Sequence, residues 1–146
     1  MVINLVKQLK KRQKLVETEL NQINDSTPDN FIFIFKTNPI VHHFKSIDDK
    51  VIGFDGYFKG NFNRYPLFVI SFVSQSLRAL PLCLCLTNDA KKETIERLVR
   101  ILIKEFDLQG YIVSIDNDDA EKYALNKNGI QYILCKFHLI KCIYLF

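Results

Sequence analysis

From Lys122 to Phe146 the chain has not one aspartate or glutamate, while Lys122, Lys127, Lys136 and Lys141 are all cationic. Any chemistry that needs carboxylates must therefore be carried by earlier residues. No apolar stretch followed by small residues stands behind Lys7, Lys10, Lys11 and Arg12, so no secretory signal is legible. Nor is there a long hydrophobic run. The most apolar neighbourhood, 65–86, is broken by Ser71, Ser74, Gln75, Ser76 and Arg78. That falls short of the roughly 18 continuous apolar residues a membrane span requires. Four cysteines (Cys83, Cys85, Cys135, Cys142) are too few for a disulfide framework in 146 residues. With Cys83 and Cys85 two apart on one strand face, they point to a reduced, intracellular protein.

What is present is enough to fold. A 48% hydrophobic and 12% aromatic composition excludes disorder and suits one domain with a real core. The net charge of +4 is too mild to name a partner. Residues 1–24 carry Val2, Val6, Leu9, Val16, Leu20 and Ile23 at four- and three-residue steps, with Gln13 filling the one polar slot. This spacing predicts an N-terminal helix. Its lysines Lys7, Lys10, Lys11 and Lys14 form a second face, diluted by Glu17 and Glu19, that reads first as a solvated surface. Turn-rich residues 24–30 end that helix and make 1–30 a helix with linker, ahead of a domain spanning 31–146.

Within 31–146, the run 31–35 is a short apolar strand and 39–44 a short helical or irregular piece. Neighbouring His42 and His43 point in different directions on either element, which argues against a shared metal. Segment 51–58, V-I-G-F-D-G-Y-F, reads as a buried strand holding one carboxylate, Asp55. An ionised carboxylate in a buried strand is costly unless paired, hydrogen-bonded or metal-bound. Alone, it would reach solvent or cap a turn. A second strand, 111–115, also ends on an acid, Asp116, and two such strands could bring both carboxylates to one sheet edge, where a divalent cation fits. Between them, 65–74 and 77–87 read as an antiparallel hairpin. Ile95, Leu98, Val99, Leu102, Ile103 and Phe106 mark an amphipathic helix, for which Thr87 or Asn88 can act as cap. A short helix from Asp118, an Asn128-Gly129 turn and a last strand 130–134 complete a mixed sheet covered by helices. Its first three strands meander and its last two are reached by crossovers.

This order resembles the ribonuclease H-like core of transposases and integrases, with one Asp on the first strand and another just after the fourth. In detail it is similar to the Mutator-like (MULE) transposase domain, from Phe31 to the C-terminus. The residues that carry the likeness are D-G-Y-F-K at 55–59, R-Y-P-L at 64–67, L-P-L at 80–82 and E-T at 93–94. They continue with I-V-S-I-D-N-D-D-A at 112–120 and C-K-F-H at 135–138. The resemblance implies a DNA transposase that cleaves and joins transposon ends and target DNA, nuclear if the host is eukaryotic, with no membrane partner. Two Mg²⁺ or Mn²⁺ ions about 3.5–4 Å apart would flank an in-line displacement at phosphorus. It places the first catalytic, metal-binding acid on Asp55 and the second on Asp116, with Asp118 and Asp119 as rivals for the second. Cys135 and His138 match the family's C-x-x-H; His138 is a site residue by that likeness, and the pair serves a substrate-contacting or site-shaping role rather than half a zinc site. Glu93 matches a further family acid, on a helix where it can equally be solvated.

The third acid is the departure. In the family a closing glutamate lies on a helix well downstream; here the acid-free tail runs to the apolar end 142–146. The expectation is a truncated transposase core, inactive alone, whose exposed apolar end favours self-association or a homo-oligomer. Glu121, the nearest substitute, falls on the short helix after the fourth strand, the wrong element for the role. Two other functions compete: a non-catalytic nucleic-acid or partner-binding module that kept the fold, supported by the lysines at both ends, and an unrelated α/β domain with coincidental strand-end acids.

Overall fold

In the computed structural model, residues 15–20, 31–36, 38–48, 50–58, 64–74 and 78–135 are described, the first stretch by its backbone alone. The elements are β1 (Leu15–Leu20), β2 (Phe31–Phe35), α1 (Asn38–Lys45), β3 (Val51–Tyr57), β4 (Leu67–Val73) and β5 (Ala79–Thr87). They continue with α2 (Lys92–Phe106), β6 (Ile112–Ile115), α3 (Asp119–Lys127) and β7 (Gln131–Leu134). The seven strands form one mixed sheet in the order β1-β2-β5-β4-β3-β6-β7. Pairing is antiparallel from β1 across to β3, and β6 and β7 then add in parallel. The chain is thus an α/β protein with a meander followed by two crossovers, as the spacing of its apolar runs predicts. Among the described residues no helix is long and apolar enough to cross a membrane.

One expectation is overturned. The N-terminal helix predicted over 1–24 does not hold at Leu15–Leu20, which is a strand; the remainder of that stretch lies outside the described residues. Leu15, Val16 and Leu20 suit either period over six residues, so the pattern does not discriminate. What decides is the partner. Phe31–Phe35 would otherwise be an unpaired apolar edge, and antiparallel pairing with 15–20 covers it. The predicted linker at 24–30 also lies outside the described residues.

Alternation along each strand builds two faces. Ile52 and Phe54, Phe68, Ile70 and Phe72, Cys83 and Cys85, and Val113 and Ile115 share one face and are buried. They form a single core with Phe44 of α1, with Ile95, Leu98, Val99, Leu102 and Phe106 of α2, and with Ala124 and Leu125 of α3. On the other face a smaller cluster joins Phe31 and Phe33 to Phe35, Tyr65 and Leu86. The buried Cys83 and Cys85 thiols sit 3.8 Å apart, and burial pushes the Cys85 thiol up from its ordinary pKa. Neither Thr87 nor Asn88 caps α2 directly. The N-cap is Lys91, with no side-chain cap bond; two residues ahead, the Asp89 Oδ1 accepts from the Lys91 N–H and the Thr94 hydroxyl.

Lys36, directly after β2, is buried, with its ammonium paired to Glu105 of α2 and lying over the Phe106 ring. Neutralising one member leaves a desolvated charge short of its partner, the costly way to break a buried pair. Glu105→Gln should destabilise the chain by about 1–3 kcal/mol in urea unfolding. Lys36→Met with Glu105→Gln should recover much of that loss, and a loss that persists in the double variant would point to packing instead.

Candidate metal centre

The parallel pairing of β3 with β6 sets Val51 against Ile112, Ile52 against Val113, Gly53 against Ser114 and Phe54 against Ile115. One position further on, past the last paired residues, come Asp55 and Asp116. Ile52 and Phe54 point into the core, so Asp55 faces the other side of the sheet, where it is exposed. Asp116 continues the alternation of Ile112 and Ser114 and is half-buried. The two acids therefore stand side by side one step past the β3–β6 pairing, Asp116 directly after β6 and Asp55 still within β3, which runs on to Tyr57 against β4. The pairing of Ile115 with Leu134 extends that row to Cys135, whose N–H donates to the Ile115 carbonyl at 2.7 Å. His138 lies outside the described residues.

The two rivals for the second acid are engaged elsewhere. Asp118 is the N-cap of α3, its Oδ1 accepting from the Ala120 N–H at 2.8 Å and the Glu121 N–H at 3.1 Å. Asp119 is exposed and reaches Lys122 at 3.3 Å. Glu93 is exposed in the first turn of α2. The two histidines part as their adjacency predicts: His42 is exposed while His43 packs its ring against Phe72.

Glu121 is where the sequence misleads. Its element is the expected one, and α3 follows β6 after only a short turn. Glu121 is only 4% exposed, between the helix and the core that Ala124 and Leu125 enter. Among the described residues its Oε2 has no hydrogen-bond partner. Burial first, then the charges of Asp118, Asp116 and Asp55, push its pKa up to about 8. The sequence does carry a signal: Asp118 and Glu121 have the spacing of an N-cap and the acid three residues on, which in a capping box fold back on each other. Here the cap forms from Asp118 alone and the glutamate goes inward.

Aromatic rings pack around Gly56, the residue after Asp55. The Phe54 and Phe68 rings stack at 5.3 Å, and Phe58 meets Phe68 edge-on at 6.0 Å. Both Phe58 and Phe68 close over Gly56: a Cβ there would lie 3.0 Å from the Phe58 ring and 3.1 Å from that of Phe68. Phe58 is half-exposed and able to move, but Phe68 is buried. Gly56→Ala should therefore cost about 1–3 kcal/mol by overpacking, measured by chemical denaturation. An unchanged midpoint would show that the Phe58 ring alone absorbs the methyl.

Among the described residues, no three or more His, Cys, Asp or Glu side chains converge into a ready-made metal cage. What the site offers is a pair of strand-end carboxylates, a cysteine in the same row, and a buried acid behind them with one orphaned oxygen. Comparison with protein-family models, with curated proteins and with solved structures finds no match.

Proposed function

We propose that the chain is a ribonuclease H-like domain of the Mutator-like transposase kind, whose Asp55 and Asp116 hold a divalent cation used on DNA phosphodiesters. The observation that carries this is the parallel register of β3 and β6, which sets Asp55 and Asp116 side by side one step past the last paired residues. The strands β3 to β7 lie in the order β5-β4-β3-β6-β7, three antiparallel and two parallel, and this supports the expected core, with β1 and β2 extending it beyond β5. Asp55 and Asp116 flank the place where the chain order reverses, towards the carboxyl ends of two parallel strands. Open α/β sheets gather their ligands at such places.

The donor set fits a hard cation. Two carboxylates with water and phosphate are a natural Mg²⁺ or Mn²⁺ environment. Asp55 and Asp116 would hold the ion, and the rigid β3–β6 pairing would fix their spacing. The ion would supply charge stabilisation to a reacting phosphoryl oxygen. Cys135, at the end of the same row, stands where a DNA strand lying across the strand ends would pass.

Titration of the purified chain with Mn²⁺, followed by calorimetry, tests this. Binding by the parent that is lost in Asp55→Asn and in Asp116→Asn is the expected result; absence of binding by the parent would refute the reading. DNA binding by the Asp55→Asn, Asp116→Asn double variant separates catalysis from simple docking. Salt-sensitive affinity equal to the parent's, with no cation effect in either, would favour a non-catalytic nucleic-acid module, because backbone contacts need lysines rather than a metal.

A further inference from the structure

We infer that residues 1–14 pack as an amphipathic helix over Phe31 and Phe33, on the face of the sheet that α1, α2 and α3 leave open. The inference is independent of the cation proposed at Asp55 and Asp116.

The first reason is a burial for which the described residues do not account. Ile32 and Ile34 point into the main core, so Phe31, Phe33 and Phe35 stand on the other face of β2. All three described helices pack on the core side. Elsewhere the open face meets water: Leu84 of β5 is 38% exposed and Ile133 of β7 is 51% exposed. Phe31 and Phe33 are each only 2% exposed. Tyr65 meets Phe31 edge-on at 5.0 Å, and the Phe31 ring lies 4.9 Å from that of Phe33. Phe35 and Leu86 stand beside Phe33 in the sheet. Side chains on one sheet face rise roughly perpendicular to it, so such neighbours shield the flanks of a ring and leave its tip in water. Two phenylalanines buried to this degree require a layer above them.

The second reason is which part of the chain can supply that layer. It must be apolar and within reach of β2. Residues 59–63 bring only Phe62, and residues 21–30 only Ile23 and Pro28, among polar neighbours. Residues 136–146 are apolar enough, but they leave the sheet from β7, five strands away from β2. That is roughly 24 Å at sheet spacing, and as a helix the segment spans only about 16 Å. Residues 1–14 meet both conditions. Val2, Leu5, Val6 and Leu9 recur at the spacing of one helix face, while Lys7, Lys11 and Lys14 fall away from it. The segment leads straight into β1, the neighbour of β2. A helix over 2–13 is about 18 Å long, close to the roughly 20 Å of β1. Leu15 stands opposite Phe35 and Leu20 opposite Phe31. A helix folded back from Leu15 therefore passes Phe35 first and brings Val6, Leu5 and Val2 above Phe33 and Phe31.

The chain contains no tryptophan, so a single introduced one reports alone. The test compares Val6→Trp with Lys11→Trp in the full chain, by emission wavelength and by acrylamide quenching, in buffer and in urea. A cooperative urea transition shows that each variant folds. Val6→Trp should emit further to the blue in buffer than in urea and be quenched severalfold less there. Lys11→Trp should differ little between the two conditions. A second measurement locates the contact: urea midpoints of Val6→Ala, Phe33→Leu and the double variant. The double variant should lose less than the sum of the single losses, as side chains in contact do. Equal quenching of Val6→Trp and Lys11→Trp would overturn the inference. So would additive midpoint losses, which would place residues 1–14 on another surface.

Discussion

Glu121→Met should stabilise the metal-free chain at pH 7, by on the order of 3 kcal/mol, and the gain should shrink steadily towards pH 4.5. The sign follows from proton binding. In the folded chain the Glu121 carboxyl is raised to about 8, whereas its ordinary value is 4.5. Below 4.5 both folded and unfolded chains hold the proton and the group contributes no penalty. Between 4.5 and about 8 the unfolded chain has released it and the folded chain has not, so folding takes up a proton. Stability then falls by about 1.4 kcal/mol for each pH unit, until the folded carboxyl also ionises. Methionine has nothing to release and fills nearly the same volume. The difference between parent and variant should therefore be small in acid, grow through neutrality, and level off above pH 8. Urea unfolding at five pH values would trace it. A difference that does not change with pH would mean that Glu121 reaches water in the folded chain.

Much of this site is legible in the order of residues alone. Alternation in 51–58 and 111–115 identifies both strands, and an acid at the end of each singles out Asp55 and Asp116. Periodicity cannot say that these strands are neighbours. That follows from the crossover through α2, which carries β6 past β4 and β5 to the free side of β3. Residues 15–20 mislead because six residues with Leu15, Val16 and Leu20 fit a helix face and a strand equally, and the deciding partner is eleven residues and more away in sequence. Glu121 misleads for a different reason. A helix reads in sequence as one element, yet its first turn here belongs to the strand end, while the rest of α3 packs along the core. Asp118 is the clue, since an N-cap so soon after Asp116 leaves no room for α3 to start anywhere else.

If Asp55 and Asp116 hold a cation as proposed, Asp116 and Asp118 should separate cleanly when each is neutralised, because Asp118 is occupied as the cap of α3. Asp116→Asn should weaken Mn²⁺ binding by at least about 10–100-fold, since even groups that only orient a metal ligand cost that much when lost. Its fold should persist, because the amide occupies the same volume at a half-buried position. Asp118→Asn removes a charge of the same sign only two residues away but keeps a side-chain oxygen for the Ala120 and Glu121 N–H groups. Asparagine caps helices about as well as aspartate, so α3 should stay anchored and the loss of Mn²⁺ affinity should remain within a few-fold. Asp118→Ala is the informative control. It loses the same charge and the cap as well, and should be about 1 kcal/mol less stable than Asp118→Asn. Comparing those two variants with each other cancels the relief that removing the charge brings to Glu121. With the cap gone the first turn of α3 frays, and with it the connection from Asp116, so Mn²⁺ affinity should fall further in Asp118→Ala than in Asp118→Asn. Loss of binding in Asp118→Asn as complete as in Asp116→Asn would move the second ligand from Asp116 to Asp118. Equal affinity in Asp118→Asn and Asp118→Ala, with the expected stability gap between them, would show that the anchoring of α3 does not matter to the ion.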